Sequence, residues 1–180
     1  MRYTTEELKS EFKRLNYQWL PFHFIGIRSK ANEKNRFDDT FILVNGDILH
    51  HFTCTTDPGV HWLKNLLNPK GTAVLKPNQY LNTWALGMHQ NKYKAFCQVR
   101  AVEVYRDKNL DDKAEETATI DKGLFGINIH RASETMVSQL VDKWSAGCQV
   151  LNNPSEFKFV LSEAERSLQK EFTYTLLKEF

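Results

Sequence analysis

The sequence has no apolar run approaching the roughly 20 residues needed to cross a bilayer, which excludes a membrane-spanning helix. Cysteine is sparse and odd in number. Cys54, Cys97 and Cys148 show neither metal-ligand spacing nor the even count of a disulfide framework, so at least one thiol stays free. Charge of one sign is also missing: 24 basic against 22 acidic side chains give a net +2, far from the basic balance of a dedicated nucleic-acid binder. No nucleic-acid partner is expected. There is no internal repeat and no domain linker, so residues 1–180 read as one domain, long enough to bury its own core. Met1 to Gln18 is amphipathic and charged where a secretory leader would be apolar, which predicts that the chain carries no export signal of its own.

What is present is aromatic. Twelve Phe, six Tyr and four Trp suit strands and a packed core, or a groove that stacks against sugars or peptides. Thr4 to Leu15 predicts a surface helix, with Thr4 or Thr5 as cap, Glu6 and Glu7 in the first turn, and Leu8, Phe12 and Leu15 on one face. Strands are predicted over Phe22–Arg28, Thr40–Val44 and Ile48–Thr55, the last two joined by the turn Asn45-Gly46-Asp47, with the polar SKANEKNRFDD segment as a loop. Shorter strands follow at Thr72–Leu75 and Leu81–Leu86, and Ala95–Tyr105 alternates as one long strand. The acidic segment Arg106–Asp121 reads as a solvated loop. Beyond it come a strand through LFGINIH, a helix from about Ser133 to Val141, a helix from Pro154 to Lys170 and a closing strand Phe172–Leu177. The fold class is therefore mainly β with flanking helices.

One pair of residues carries candidate chemistry. Cys148 ends the small-residue turn Ser145-Ala146-Gly147-Cys148 after Trp144, and His130 closes a strand eighteen positions earlier. A thiol near its ordinary pKa of about 8.5 is mostly protonated at neutral pH, so a nucleophilic cysteine needs a base, and histidine is the usual one. The Gly147 and Cys148 backbone N–H groups are the natural donors to an oxyanion. Cys54 and Cys97 sit inside apolar strand patterns and read as inert core. Asp107, Asn109 and Asp111 alternate as calcium ligands do, but the glycine and distal glutamate of an EF-hand loop are absent, and no metal site is assigned. His50 and His51 are adjacent in a strand and point to opposite faces. Arg131 and Arg106 have the chemistry to hold a carboxylate, but a solvated loop role is the default reading for both.

His130, fourteen intervening residues, and then Ser145-Ala146-Gly147-Cys148 resemble the active-site signature of the L,D-transpeptidase catalytic domain, the YkuD-like family. The spacing and the Ser, Gly and Cys match. Ala146 stands where the family usually has a second histidine, Gln149 where it has an apolar residue, and Val150 where it has Asn or Arg. The resemblance implies a β-sandwich of the L,D-transpeptidase catalytic type with a groove for peptidoglycan stem peptides, and no cofactor. It implies Cys148 as nucleophile, His130 as base, the Arg131 main-chain carbonyl as the acceptor that orients the imidazole, and a thioacyl intermediate passed to an amine or to water. Ser145, His89, Gln149 and Trp144 are the candidates for substrate contact. The site of action would be the cell wall or periplasm, reached from a bacteriophage particle or by another export route. Two alternatives stand beside this one: a degenerate, non-catalytic module that binds cell wall or serves as a phage structural part, and an unrelated cysteine peptidase of protein substrates.

Overall fold

A computed structural model describes residues 2–31 and 33–180; Met1 of the amphipathic N-terminal segment and Asn32 of the polar loop lie outside the described residues. The described residues form three helices and eleven strands. The chain is mainly β, as its pattern implies. Helix α1 (Thr5–Arg14) is capped by Thr4, whose hydroxyl accepts from the Glu7 N–H while the Glu7 carboxylate accepts from the Thr4 N–H, a reciprocal capping box. Strands β1 (Phe22–Arg28), β2 (Asp39–Asn45) and β3 (Ile48–Thr55) follow, β2 and β3 forming the hairpin over Gly46. After the short helix α2 (Val60–Lys64) come β4 (Thr72–Leu75), β5 (Asn78–His89), β6 (Tyr93–Gln98), β7 (Val102–Asp107) and β8 (Ile120–Gly123). The chain ends with β9 (Ile129–Arg131), β10 (Gln149–Leu151), α3 (Pro154–Arg166) and β11 (Glu171–Lys178).

Eight of these strands close into a barrel in the order β1-β11-β5-β6-β9-β10-β3-β2, and β4, β7 and β8 form a separate small sheet. Closure replaces the open two-sheet arrangement expected of a sandwich. Its cause is β11, which inserts between β1, to which it runs parallel, and β5, to which it runs antiparallel, so that neither strand is left as an edge. Phe24, Phe41, Phe96, Phe172, Tyr174 and Trp84 fill the interior, and Phe157, Val160 and Ala164 of α3 pack into the same cluster. The small sheet adds Ala73, Leu75, Val102 and Val104 to it. On the outside, α1 lays Leu8 and Phe12 over Ile25, Ile27, Ile42, Val44 and Leu177, which is why every residue of β1 is buried.

Three sequence expectations change. The predicted single strand Ala95–Tyr105 is two strands in different sheets, β6 in the barrel and β7 in the small sheet, broken where the Val99 N–H donates to the Thr83 carbonyl. The LFGINIH strand shrinks to β9. The helix expected at Ser133–Val141 is an irregular crossover: Met136, Val137 and Leu140 are exposed, so a helix here would have no apolar face to bury.

His23 lies under α1 fully buried, edge-on to Phe12 and Trp19 at 5.4 and 5.0 Å, with no hydrogen-bond partner for either nitrogen among the described residues. Burial pushes its pKa down to about 4. The unfolded chain therefore takes up this proton first as pH falls through about 6.5, and stability is lost until His23 itself protonates. His23→Phe is expected to remove about 3 kcal/mol of the stability loss between pH 7 and pH 4. Urea midpoints of the two proteins at both pH values check this; identical pH dependence would contradict it.

Candidate active site

The site is built where β9 and β10 run side by side in parallel, with Gln149 opposite Ile129, Val150 opposite His130 and Leu151 opposite Arg131. Because side chains alternate along a strand, Ile129, Gln149 and Leu151 face the barrel interior, and His130 and Val150 face out. Asn128 and Cys148, two positions before these, continue that outer face. The two sequence-predicted reactive residues thus share one face of adjacent strands. The crossover of residues 132–148 returns the chain to the same end of the sheet, which is how a separation of eighteen positions becomes proximity.

The Ser145–Cys148 turn is held from several sides. The Ser145 hydroxyl donates to the Cys148 carbonyl at 2.8 Å and accepts from the Gly147 N–H at 3.2 Å. The Ser145 carbonyl accepts from the Gly59 N–H, and the Asn35 side chain accepts from the Asp142 and Val60 N–H groups, tying the crossover to the start of α2. Gly147 has φ +120°, and a Cβ there would sit 2.4 Å from the Ala73 carbonyl oxygen, so the turn accepts only glycine. The barrel core sets the next residue. Gly26 leaves space that the Tyr174 ring fills, the Tyr174 hydroxyl donates to Gln149 Oε1 at 2.7 Å, and Gln149 Nε2 donates to the Gly147 carbonyl.

Cys148 opens onto a cleft of about 530 Å³ walled by Trp62, Leu67 and Phe125 and lined by His89, Gln90, Arg106 and Asn128. Its thiol donates to the Gly126 carbonyl and its sulfur accepts from the Asn128 N–H, both at 3.4 Å. Burial pushes the thiol up to about 11, against the lowering effect of the Asn128 N–H, with a further small rise from Cys97. His130 is buried on the same outer face of the paired strands. Its Nδ1 is 2.7 Å from the Arg131 carbonyl, so that nitrogen carries the proton, and the Tyr93 hydroxyl packs on the same two atoms at 3.2 and 3.1 Å. His130 Nε2 is left as a lone pair, buried and without a partner among the described residues. Burial first, and then the charge of His89, push the imidazole down to about 3. The resting pair is therefore a neutral thiol and a neutral imidazole.

The His89 ring stacks on that of His130, centroids 4.1 Å apart at 23°. The Asn128 side chain bridges, with Oδ1 accepting from the Gln98 N–H at 2.9 Å and Nδ2 3.0 Å from His89 Nδ1. Burial, and then the charges of Lys92 and Arg131, lower the His89 pKa. Arg131 itself turns its guanidinium over the Tyr93 ring at 4.1 Å.

The remaining sequence candidates sort by location. Ser145 is fully buried within its turn, Gln149 is engaged in the barrel interior, and neither lines the cleft. The Gly147 N–H is committed to Ser145, which leaves the Cys148 N–H of the two expected oxyanion donors. Trp144 is exposed but does not line the cleft. Arg106 does line it, stacked on Phe125 and paired with Asp121. His50 packs on Phe159, and His51 Nε2 donates to the Tyr3 carbonyl. Asp107 accepts from the Asn109 and Glu115 N–H groups and orders its own loop; among the described residues no group of three or more His, Cys, Asp or Glu is arranged to hold a metal. Among the described residues, no helix is long and apolar enough to cross a membrane. Sequence reasoning missed Tyr93 and Asn128. Asn128 was signalled by its position two residues before His130 on a strand, whereas nothing local to Tyr93 marks it. Comparison of the chain with protein-family models, curated proteins and solved structures gives no match.

Proposed function

We propose that the protein carries out cysteine-dependent acyl transfer or hydrolysis on peptidoglycan stem peptides, through a Cys148 thioacyl-enzyme with His130 as base. One observation carries this reading: the His130 proton is pinned on Nδ1 by the Arg131 carbonyl, leaving a buried Nε2 lone pair with no partner among the described residues, on the strand that pairs with the one following Cys148. The barrel with its small sheet packed on one flank is read as a closed form of the L,D-transpeptidase catalytic fold, and the cell wall as the place of action.

In the reaction, the thiol turns from the Gly126 carbonyl toward His130, and its proton passes to Nε2 as sulfur bonds the carbonyl carbon of the stem peptide. The carbonyl π pair moves onto oxygen. When that pair returns, the C–N bond breaks and the amine leaves with the proton from Nε2. Water or a second amine then attacks the thioester, giving its proton to Nε2, and sulfur departs to recover that proton. Because both groups start neutral, the transfer creates charge in a buried site, and Tyr93 with the Arg131 carbonyl steadies the imidazolium through Nδ1.

The non-catalytic reading draws on one fact, that the resting thiol bonds Gly126 and is held well above its ordinary pKa. Mass spectrometry of purified muropeptides incubated with the protein separates the two. Cysteine-dependent catalysis predicts cross-linked, exchanged or cleaved species, with D-centred peptides converted in preference to L-centred ones. No change in any muropeptide would favour a binding module, and preference for L-centred peptides an unrelated peptidase.

A further inference from the structure

Resting on that reading, we infer that His89 is a catalytic residue: its Nε2–H donates a hydrogen bond to the oxyanion formed when Cys148 attacks, in a tautomer fixed by Asn128. The tautomer follows from the network. Asn128 Oδ1 accepts from the Gln98 backbone N–H, which orients the amide and makes Nδ2 the group that faces His89. An amide nitrogen only donates, so His89 Nδ1 is the acceptor and the ring proton sits on Nε2. His130 has the opposite arrangement, because a carbonyl only accepts and therefore holds its proton on Nδ1. Two stacked histidines of one site are thus set in opposite tautomers, one presenting a lone pair and the other an N–H.

The Cys148 turn leaves a place for such a donor. Of the Gly147 and Cys148 backbone N–H groups, that of Gly147 is committed to the Ser145 hydroxyl. His89 lines the same cleft as Cys148, with most of its ring buried. Asn128 touches both components, through its backbone N–H to the Cys148 sulfur and through its side chain to His89. Burial and the nearby Lys92 and Arg131 charges favour the neutral ring, so donation rests on the tautomer and not on a positive charge. In the acylation step the sulfur–carbon bond forms, the C=O π pair moves onto oxygen, and the Nε2–H of His89 bonds that oxygen without transferring its proton. The thiol proton meanwhile goes to His130.

Two reagents divide oxyanion stabilisation from thiol activation. Acylation of Cys148 by p-nitrophenyl acetate passes through an oxyanion; alkylation by iodoacetamide is a displacement at saturated carbon and does not. Both rates are followed at Cys148 by peptide mass mapping. His89→Ala is expected to slow acylation about 100-fold and to change alkylation by no more than about threefold, while His89→Gln, which keeps a donor, recovers at least about tenfold of the loss. Asn128→Asp supplies an acceptor to Nδ1, moves the ring proton off Nε2, and is expected to slow acylation as His89→Ala does, with its backbone contact to the sulfur kept. Equal losses in both reactions, wild-type acylation in His89→Ala, or no recovery in His89→Gln would overturn the assignment. Wild-type Cys148 that acylates no faster than free cysteine would overturn the cysteine chemistry and this inference with it. Normal ester acylation with inert muropeptides would leave the donor standing and remove only the substrate.

Discussion

Cys148→Ala is expected to lower muropeptide conversion by at least about 10⁴-fold, to the level of the uncatalysed control. No other cysteine can take over. Cys54 is fully buried in β3, and Cys97 lies on β6 with burial raising its thiol above the ordinary value. The fold should survive, because the lost contacts are two long bonds of 3.4 Å, one to Gly126 and one from Asn128, at the mouth of a cleft. The turn itself is held by Ser145, Gly147 and Gln149 through bonds that do not involve the sulfur. Circular dichroism and a thermal melt within a few degrees of wild type, measured beside the assay, separate loss of chemistry from loss of structure. Unchanged conversion by a folded Cys148→Ala protein would end the proposal.

His130→Ala is expected to cost about 1,000-fold in the same assay, the usual contribution of a positioned general base. Its pH behaviour is more diagnostic than its size. The thiol is held at about 11 and the imidazole at about 3, both chiefly by burial, so the site starts uncharged across the neutral range. A cysteine in this state should alkylate with iodoacetamide at a rate that climbs about tenfold per pH unit from pH 7 toward 10. A thiolate–imidazolium pair would instead give a plateau that begins near or below neutrality. A plateau beginning below pH 8 in the wild-type protein, lost in His130→Ala, would show a preformed ion pair and contradict the general-base account.

Much of the architecture is legible in local pattern, and the failures have physical causes. The cap at Thr4, the Asn45-Gly46-Asp47 hairpin and β11 are each specified within a few residues, and the structure has them close to their expected bounds, whereas α3 starts at Pro154 as expected and stops at Arg166, short of Lys170. What alternation along one strand does not encode is its partner. Ala95–Tyr105 reads as continuous because Phe96, Val102 and Val104 all point into the core, yet they do so from two different sheets. Barrel closure depends on β11 reaching both β1 and β5, pairings separated by most of the chain and carried by no local signal.

The candidate site divides along the same line. Cys148 and His130 are visible because a small-residue turn and a strand-ending histidine are local features. Their sharing one face follows from the β9–β10 register, which the sequence alone does not supply. Tyr93 reaches His130 from the β5–β6 hairpin, and His89 from the same hairpin stacks on it, so that half of the site is assembled by tertiary pairing. Ser145 and Gln149 are neighbours of the thiol in sequence, yet one holds the turn and the other bonds Tyr174 inside the barrel.

The most direct test of the central claim is to trap the acyl-enzyme. The protein is mixed with a purified stem peptide, quenched in acid within seconds, digested and mapped by mass spectrometry. A thioester on Cys148 carrying the acyl portion of the stem is expected, absent from Cys148→Ala. A stem acyl group found on Cys97, or product formed at full rate by the Cys148→Ala protein, would contradict it.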